Sequence, residues 1–311
     1  MSAGWVAASV RARAMAQRRV GVAAARSLAG QPTFEAALEA LAESPYGRDV
    51  RVGSTLSEAQ RAVAATLLWH IRVLAGWVPR GDSRVLRVLA GGFEVANVDE
   101  RLREVTGGSS DPPFRLGGLA TAWPVLAEAT SAVDLRERLG RSVWGDPGAD
   151  APDAIRLGMR LSWASRVAGN VPAARAWAAG AAALVVARAL LLDAARIPAA
   201  TALAATPLLG SRWPGATSLA ALRTGLPPDA RWALSPIDDP ADLWRAEAAW
   251  WARLSSDGFA LLRRPVTTSE PVLGAVAVLG ADAWRVRAAL EVAARGGASA
   301  PAAMEAFDAV A

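Results

Sequence analysis

The sequence predicts an all-α fold. Apolar residues recur at helical spacing between breaks rich in glycine and proline, and no segment alternates apolar and polar residues as a run of strands would. One helix ending also recurs along the chain, which favours three similar helical lobes. With 311 residues and 53% hydrophobic side chains, the chain is long enough for two domains or for one large multi-lobed domain.

The clearest helix ending closes residues 34–47 (FEAALEALAESPYG). Starting from Phe34, apolar side chains stand at i, i+3, i+4 and i+7, which places them on one helix face. Ser44 precedes Pro45 and is pushed out of the α region, and Pro45 itself cannot continue a helix. Gly47 can take the left-handed conformation that closes a helix. The sequence therefore predicts a sharp corner after this helix.

A similar ending recurs at residues 139–145 (LGRSVWG), where Trp144 takes the place of Tyr46. A looser third copy at residues 203–210 (LAATPLLG) carries Thr206-Pro207. A second helical segment follows each copy, at residues 85–108, 174–197 and 272–297. Spacings of about 90 to 100 residues exceed those of the common solenoids and indicate lobes. The predicted organisation is an N-terminal helix that packs across the lobes (1–32), lobe 1 (33–117), lobe 2 (118–200) and lobe 3 (201–311).

The other helices are predicted from their caps and their apolar stripes. Residues 55–77 begin at Thr55 or Ser57, with Glu58 in the first turn. Residues 93–105 (FEVANVDERLREV) form a helix whose apolar side chains point inward and whose charges point outward. Residues 107–118 read as a loop, and residues 242–254 as an amphipathic helix.

Arginines cluster in the N-terminal helical segment, residues 6–29, which contains no acidic residue. Arg11 and Arg18 can share one helix face, while Val10 and Ala14 supply an apolar face. Such a segment is either a solvated amphipathic helix or a docking surface for an acidic partner or anionic groups. The candidate partner-binding residues are Arg11, Arg13, Arg18 and Arg19.

Composition excludes several kinds of chemistry. The chain has no cysteine, so disulfides, thiol nucleophiles and thiolate metal sites are absent. Its one histidine, His70, cannot form a histidine metal cluster and is interpreted as structural. The net charge of +5 comes from arginine alone, because the chain has no lysine and hence no phosphate-binding loop of the Walker type. The paired carboxylates Asp99-Glu100 and Asp238-Asp239 are interpreted as structural. No active site, cofactor or metal is expected.

The most apolar stretch, residues 176–187 (AWAAGAAALVVA), is twelve residues long before Arg188 interrupts it. A membrane-spanning helix needs about 20 such residues. We therefore expect a buried core helix rather than a membrane span. The first residues, MSAGWVAASVRARAMAQRR, lack the uninterrupted apolar core of a secretory signal.

Short stretches resemble the C subunit of archaeal and bacterial V/A-type ATPases, a relative of the eukaryotic subunit d. Residues 5–13 (WVAASVRAR) are similar to the tyrosine-led YLNARVR opening of that family, and Ser44-Pro45-Tyr46-Gly47 to its Thr/Ser-x-Tyr-Gly corner. Residues 93–102 (FEVANVDERL) look like its D-x-x-N-L-x-x-x-L-R helix, and residues 281–290 (ADAWRVRAAL) like its E-x-x-N-I-R-x-I-L helix. Trp5 and Ala7 replace the usual tyrosine and asparagine, and Val185 stands in the second lobe where Asn97 stands in the first.

The resemblance implies a funnel of three helical lobes around a pseudo-threefold axis. It implies a subunit without an active site that links the central stalk to the membrane proteolipid ring, so that ATP-driven rotation is coupled to proton or sodium transport. The expected partners are the central-stalk subunits and the proteolipid ring, with no nucleic acid. The expected location is the cytoplasmic face of the plasma membrane, held there indirectly through the ring.

Two other classes of function stay open. An α-helical scaffold would share the lobes but bind unrelated partners. A helical nucleic-acid-binding protein would use the N-terminal arginines, although the chain lacks the Asn, Gln and Lys residues that usually dress a recognition helix.

Overall fold

The fold is known from a computed structural model that describes residues 3–79 and 81–308. Within these ranges the regular structure is helical and no strand occurs, which confirms the predicted fold class. Contacts divide the chain into two compact units, unit 1 formed by residues 1–83 and 251–311 and unit 2 formed by residues 84–250. The predicted lobes and their boundaries remain a prediction.

Unit 1 is built on α15, which receives helices from both ends of the sequence. Its first four helices are α1 (Ala3–Gln17), α2 (Gly21–Ala29), α3 (Phe34–Ala42) and α4 (Leu56–Trp77). After the unit 2 helices the chain returns through the end of α14 to α15 (Glu270–Ala294) and α16 (Pro301–Asp308). The buried faces of α2, α3, α4, α15 and α16 form one apolar core. Burial of apolar surface from distant parts of the chain stabilises this unit.

The end of α14 approaches α15 very closely in unit 1. A Cβ atom added to Gly274 would lie 2.5 Å from the Gly258 carbonyl oxygen, and one added to Gly258 would lie 3.0 Å from the Gly274 carbonyl oxygen. Glycine at both positions lets the two helix backbones meet without side chains between them.

Unit 2 is built on α10. Its helices are α5 (Arg84–Leu89), α6 (Gly91–Val105), α7 (Trp123–Leu126), α8 (Ala132–Gly140), α9 (Pro152–Asn170), α10 (Arg175–Leu191), α11 (Ala199–Leu209), α12 (Leu219–Gly225), α13 (Pro228–Arg231) and the first part of α14 (Leu243–Leu262). Helices α9, α11 and α13 pack on α10, and α6 packs on α9. A second apolar cluster joins α6 to α7, α8 and the corner that carries Trp144.

Helix α10 lies in the stretch for which a buried core helix is expected. Among the described residues, only 172–191 are long and apolar enough to cross a bilayer, and 56% of that window is buried inside the protein. Nine residues of α10 are buried, and α9 covers one side of the helix. This burial is typical of a core helix.

Helix starts follow the predicted caps. Thr55 accepts a hydrogen bond from the Glu58 backbone N–H while the Glu58 carboxylate accepts one from the Thr55 N–H, so α4 begins with a capping box. Asp239 accepts from the Ala241 N–H ahead of a short 3₁₀ turn, as expected for an acid at a helix start.

The predicted corner forms after α3, although Gly47 lies within a 3₁₀ turn and does not take the left-handed conformation expected of it. Ser44 is extended, its hydroxyl accepts from the Tyr46 N–H at 3.2 Å, and Pro45 begins a 3₁₀ helix, Pro45–Arg48. The second copy repeats the hydrogen bond, because the Ser142 hydroxyl accepts from the Trp144 N–H at 3.1 Å. Both aromatic side chains are buried.

The prediction of a third copy at residues 203–210 is wrong. Thr206 stays helical and donates its hydroxyl hydrogen to the Ala202 carbonyl, and Pro207 lies inside α11. The helix continues to Leu209 and ends at Gly210, whose φ is +76°. A corner of the first kind requires the serine to leave the helix, and a threonine bonded to the carbonyl four residues back stays within it.

A corner-like arrangement does occur later in unit 2. Ser218 caps α12 by accepting from the Ala221 N–H. Pro227 is extended, and the Ala230 N–H donates to its carbonyl at 3.0 Å. In the first two corners Gly47 and Gly145 donate in the same way to Ser44 and Ser142, at 2.9 and 3.3 Å. The equivalent acceptor carbonyls in the three places are therefore those of Ser44, Ser142 and Pro227.

The predicted outward orientation of the charges on α6 is wrong for Glu94 and Glu100, whereas Arg103 and Glu104 are exposed as expected. Glu94 and Asn97 are fully buried, and Glu100 is 8% exposed. The Asn97 side chain pairs with both backbone groups of Phe114, and Glu100 accepts from the Asp111 N–H. These side chains provide hydrogen-bond partners for backbone groups of the 107–118 loop, which are not paired within a helix.

Candidate partner-docking surface

The four candidate arginines, which lie on α1 and in the turn after it, divide into two pairs. Arg13 donates from Nε to the Leu262 carbonyl and from Nη2 to the Arg264 carbonyl, both at 2.8 Å. Arg19 donates to the Ala16 carbonyl at 3.1 Å, and its guanidinium lies 4.7 Å from the centre of the Phe259 ring. Both hold the end of α14 within unit 1, so their role is structural.

Arg11 and Arg18 form the second pair. Both are exposed, and neither guanidinium makes a hydrogen bond or an ion pair within the described part of the chain. They stand seven residues apart, Arg11 on α1 and Arg18 in the turn that directly follows it. These two cations remain available for a partner.

The apolar face assigned to Val10 and Ala14 is not the buried face. Val10 is 58% exposed and Ala14 is also exposed. The buried residues of α1 are small or flexible instead: Ala8, Ser9, Ala12, Met15 and Ala16. Small side chains let α1 approach α4 and α15 closely, and the valines are left on the outer side.

His70 lies on α4 under the same surface. Its pKa is lowered to about 4, chiefly by burial and then by the charges of Arg48, Arg18 and Arg11, with Asp49 opposing them. Its ring centre is 5.1 Å from that of Trp69, over which the Arg48 guanidinium sits at 4.5 Å. His70 is neutral at pH 7 and reports on the positive potential made by the arginines.

The carboxylate pair on α6 takes part in a charged cluster in unit 2. Asp99 faces Arg160 at 3.5 Å and Arg156 at 3.9 Å, and its Oδ1 is buried without a hydrogen bond. Burial raises the pKa of Asp99, against the opposing effect of these arginines. The arrangement joins α6 to α9.

A cavity of about 420 Å³ opens beside the second corner. Its wall includes Trp144, Ser162 and Arg166. Arg166 donates to the Val143 carbonyl at 3.3 Å, lies over the Trp144 ring at 5.0 Å, and has a pKa lowered by burial. Ser162 donates to the Trp144 carbonyl at 2.7 Å. These contacts support the corner, and the lining contains no histidine.

Two buried carboxylates, Asp282 and Glu94, are the residues that sequence reasoning missed. Asp282 accepts from the Tyr46 hydroxyl at 3.0 Å and from the N–H groups of Val20 and Gly21 at 3.0 and 2.7 Å. Burial next to this carboxylate raises the pKa of Tyr46 well above its usual value. The signal in the sequence is an acid placed among small apolar residues, GADAW, where an unpaired charge would be costly.

Glu94 plays the same part in unit 2. It accepts from the Trp144 indole Nε1–H and from the N–H groups of Ala122 and Thr121, each at 2.7 Å. Each carboxylate therefore joins one corner aromatic to the backbone at the start of a helix, α2 in unit 1 and α7 in unit 2.

Within residues 3–79 and 81–308, no group of three or more histidine, aspartate or glutamate side chains is placed to hold a metal ion. No protein-family model matches the sequence. No curated protein matches it either.

Proposed function

We propose that the chain is a non-catalytic coupling subunit of a rotary V/A-type ATPase. It would join the central stalk to the proteolipid ring of the membrane and transmit rotation that drives proton or sodium transport. In this role it would lie at the cytoplasmic face of the plasma membrane and reach the membrane only through the ring. The lobes would be arranged around a pseudo-threefold axis as a funnel.

The observation that carries the proposal is the pairing of the residues that carry the resemblance. The motif helices at residues 93–102 and 281–290 supply Glu94 and Asp282. The serine-led corners supply their aromatic donors, Trp144 and Tyr46. Separate short stretches thus belong to one repeated structural unit, which favours a shared ancestry over chance similarity.

A glycine–tryptophan contact extends the repeat to three copies. Gly92, Gly180 and Gly280 each stand two residues before the equivalent positions Glu94, Ala182 and Asp282. A Cβ atom at Gly92 would lie 2.7 Å from Trp163, one at Gly180 would lie 2.7 Å from Trp232, and one at Gly280 would lie 3.7 Å from Trp251. This recurrence supports three lobes.

The third copy lacks the acid–aromatic pair. Asp229 follows Pro227-Pro228 where an aromatic residue stands in the other corners, and Ala182 stands where they have an acid. Asp229 instead faces Arg175 at 3.4 Å. The loss of both partners together fits a repeat that has diverged as a unit, since either partner alone would be left unsatisfied in the core.

Closely packed helices suit a part that transmits torque. Close-packed interiors have low compressibility and transmit strain. The buried surfaces of α10 and α15 consist largely of Ala, Val, Leu and Gly, which allow short distances between helix axes.

The test is purification of the tagged protein from solubilised native membranes, followed by identification of the co-purifying chains. We expect a proteolipid ring and central-stalk subunits. Recovery of soluble proteins alone would favour the scaffold function, and recovery of nucleic acid that survives high salt would favour the third class. Either result would overturn the coupling function. A matched control is the Asp282→Ala variant, whose loss of the corner should reduce recovery.

A further inference from the structure

The outer side of α1 carries an apolar stripe edged by two cations. Val6 and Val10 are 38% and 58% exposed, and Ala14 continues the line at the same four-residue spacing. Arg11 and Arg18 lie along one edge of it. Residues four apart on a helix face the same way, so these side chains form one continuous surface.

We propose that this stripe docks an amphipathic, acidic α-helix of a partner protein. The partner helix would place carboxylates against Arg11 and Arg18, and apolar side chains against Val6 and Val10, which precede Arg11 on α1. This inference rests on the proposed function, because it names the chemistry of a partner that a coupling subunit requires. Its test can fail without affecting that function.

The distribution of charge in unit 1 favours an acidic partner. Unit 1 contains 16 arginines and 12 acidic residues, and it therefore holds most of the net charge of +5. Residues 3–29, which include α1, α2 and the turn between them, contain five of these arginines and no acid. Arg18 and Arg11 project enough positive potential into the protein to lower the pKa of His70. A carboxylate from outside would meet little competition from acids of α1 itself.

The apolar side chains favour a helix over a lipid surface. The exposed line of α1 consists of valine and alanine, whereas helices that insert into a lipid interface rely on Trp, Phe or Leu. Two cations on one helix are also few for an anionic membrane, where clusters of four or more are usual. Short branched side chains instead suit ridges-into-grooves packing of two helices.

His70 offers a built-in reporter. It is the one histidine of the chain, so its ring gives a single set of imidazole resonances. Its pKa lies near 4 because of burial and because of Arg48, Arg18 and Arg11, with Asp49 opposing. When carboxylates neutralise Arg11 and Arg18, that part of the lowering is removed and the pKa of His70 rises. A ligand that binds away from these charged residues leaves the pKa of His70 unchanged.

The experiment titrates the full-length protein with a helical peptide that has two glutamates seven residues apart and a row of leucines beside them on the same face. We expect saturable binding, a shift of the His70 resonances, and an affinity that falls with added salt. The double variant Arg11→Glu/Arg18→Glu should weaken binding by about tenfold or more, through loss of two charge pairs. Val10→Asp should weaken it as well.

A matched control changes the same amount of charge in unit 2. Arg188 and Arg196 are exposed, and Arg188→Glu/Arg196→Glu should leave peptide binding unchanged. Equal loss in both double variants would show non-specific attraction and overturn the inference, as would the absence of binding. Arginine-dependent binding to anionic phospholipid vesicles without peptide binding would assign the stripe to a membrane. If a variant that cannot bind the peptide still co-purifies with the proteolipid ring, the docking inference fails while the coupling function stands.

Discussion

Units 1 and 2 close the same kind of corner with different pairs of residues. In unit 1 a short acid, Asp282, meets the far tip of Tyr46. In unit 2 a longer acid, Glu94, meets the nearer donor of Trp144. Both acids also accept from two consecutive backbone N–H groups. The shorter acid is therefore paired with the aromatic whose donor lies farther from the backbone, and the longer acid with the one whose donor lies nearer. Both residue types change together between the units.

The units differ in where the acid comes from. Asp282 lies 236 residues from Tyr46, whereas Glu94 lies 50 residues from Trp144. Arg285 is buried beside Asp282, and burial lowers its pKa. The corner of unit 1 therefore depends on long-range packing, and that of unit 2 is assembled from neighbouring segments.

The largest expected effect comes from removing the acids. Asp282→Ala leaves three buried donors without an acceptor, and we expect it to cost about 4 kcal/mol of unfolding free energy. Glu94→Ala should cost about the same. Urea unfolding measures the loss, and amide hydrogen exchange shows in which unit protection falls.

The control for Asp282→Ala is Asp308→Ala, which removes an acid of the same unit. Asp308 pairs with Arg26 at 2.6 Å on the surface, and such pairs contribute at most about 1 kcal/mol. A loss for Asp282→Ala no larger than that of Asp308→Ala would show that the buried carboxylate does not hold the corner.

The corner glycines should separate the units by mechanism. A Cβ atom on Gly47 would overlap the Ala42 carbonyl oxygen, so Gly47→Ala forces the backbone apart and should cost about 3 kcal/mol. Gly145 has open space but a φ of +80°, so Gly145→Ala should cost about 1 kcal/mol. Thermal and urea unfolding measure both losses.

Gly76→Ala is the control for the glycine variants. Gly76 lies in α4 with open space around its Cα, so alanine there should stabilise the helix by up to about 1 kcal/mol. Equal losses for Gly47→Ala and Gly145→Ala would contradict the two separate mechanisms.

Tyr46→Phe should have a smaller effect than loss of the acid. It removes one donor from Asp282 and leaves the two backbone donors in place. The expected loss is about 1.5 kcal/mol, typical of a hydrogen bond to a charged group. Urea unfolding beside Asp282→Ala tests the order, and a larger loss for Tyr46→Phe would indicate that the ring, not the carboxylate, organises the corner.

Alkaline pH should distinguish the corners most subtly. Tyr46 is the single tyrosine, and burial beside Asp282 raises its pKa well above 10. The unfolded chain releases that proton near pH 10, so this stabilisation is present below pH 10 and is lost as pH rises above it. Trp144 has no comparable proton to lose. Ultraviolet absorbance should show tyrosinate only as unit 1 unfolds; ionisation in the folded protein would contradict the buried pairing.

The sequence predicted features that depend on neighbouring residues. The cap at Thr55 and the corner at Ser44 are predictable because their hydrogen bonds run between residues two or three apart. Thr206-Pro207 misled, because the same residue types also permit a helix that runs on to a glycine.

The candidate site was predicted only in part. The four candidate arginines look alike in sequence. Arg13, however, donates hydrogen bonds to carbonyls that lie 249 and 251 residues away along the chain. Tertiary contacts of this kind decide which cation is structural, and helical periodicity carries no information about them. The outward position of Val10 has the same cause, since packing with small residues turned Ala8 and Ala12 inward.

The construction of unit 1 from both ends of the sequence has a consequence for biosynthesis. Tyr46 leaves the ribosome 236 residues before its acceptor Asp282, a delay on the order of tens of seconds at typical elongation rates. Unit 2 is complete in that interval, while α1 to α4 wait without the helix on which they pack. Nascent unit 1 therefore leaves the apolar faces of α2, α3 and α4 uncovered by α15 until α15 has been synthesised.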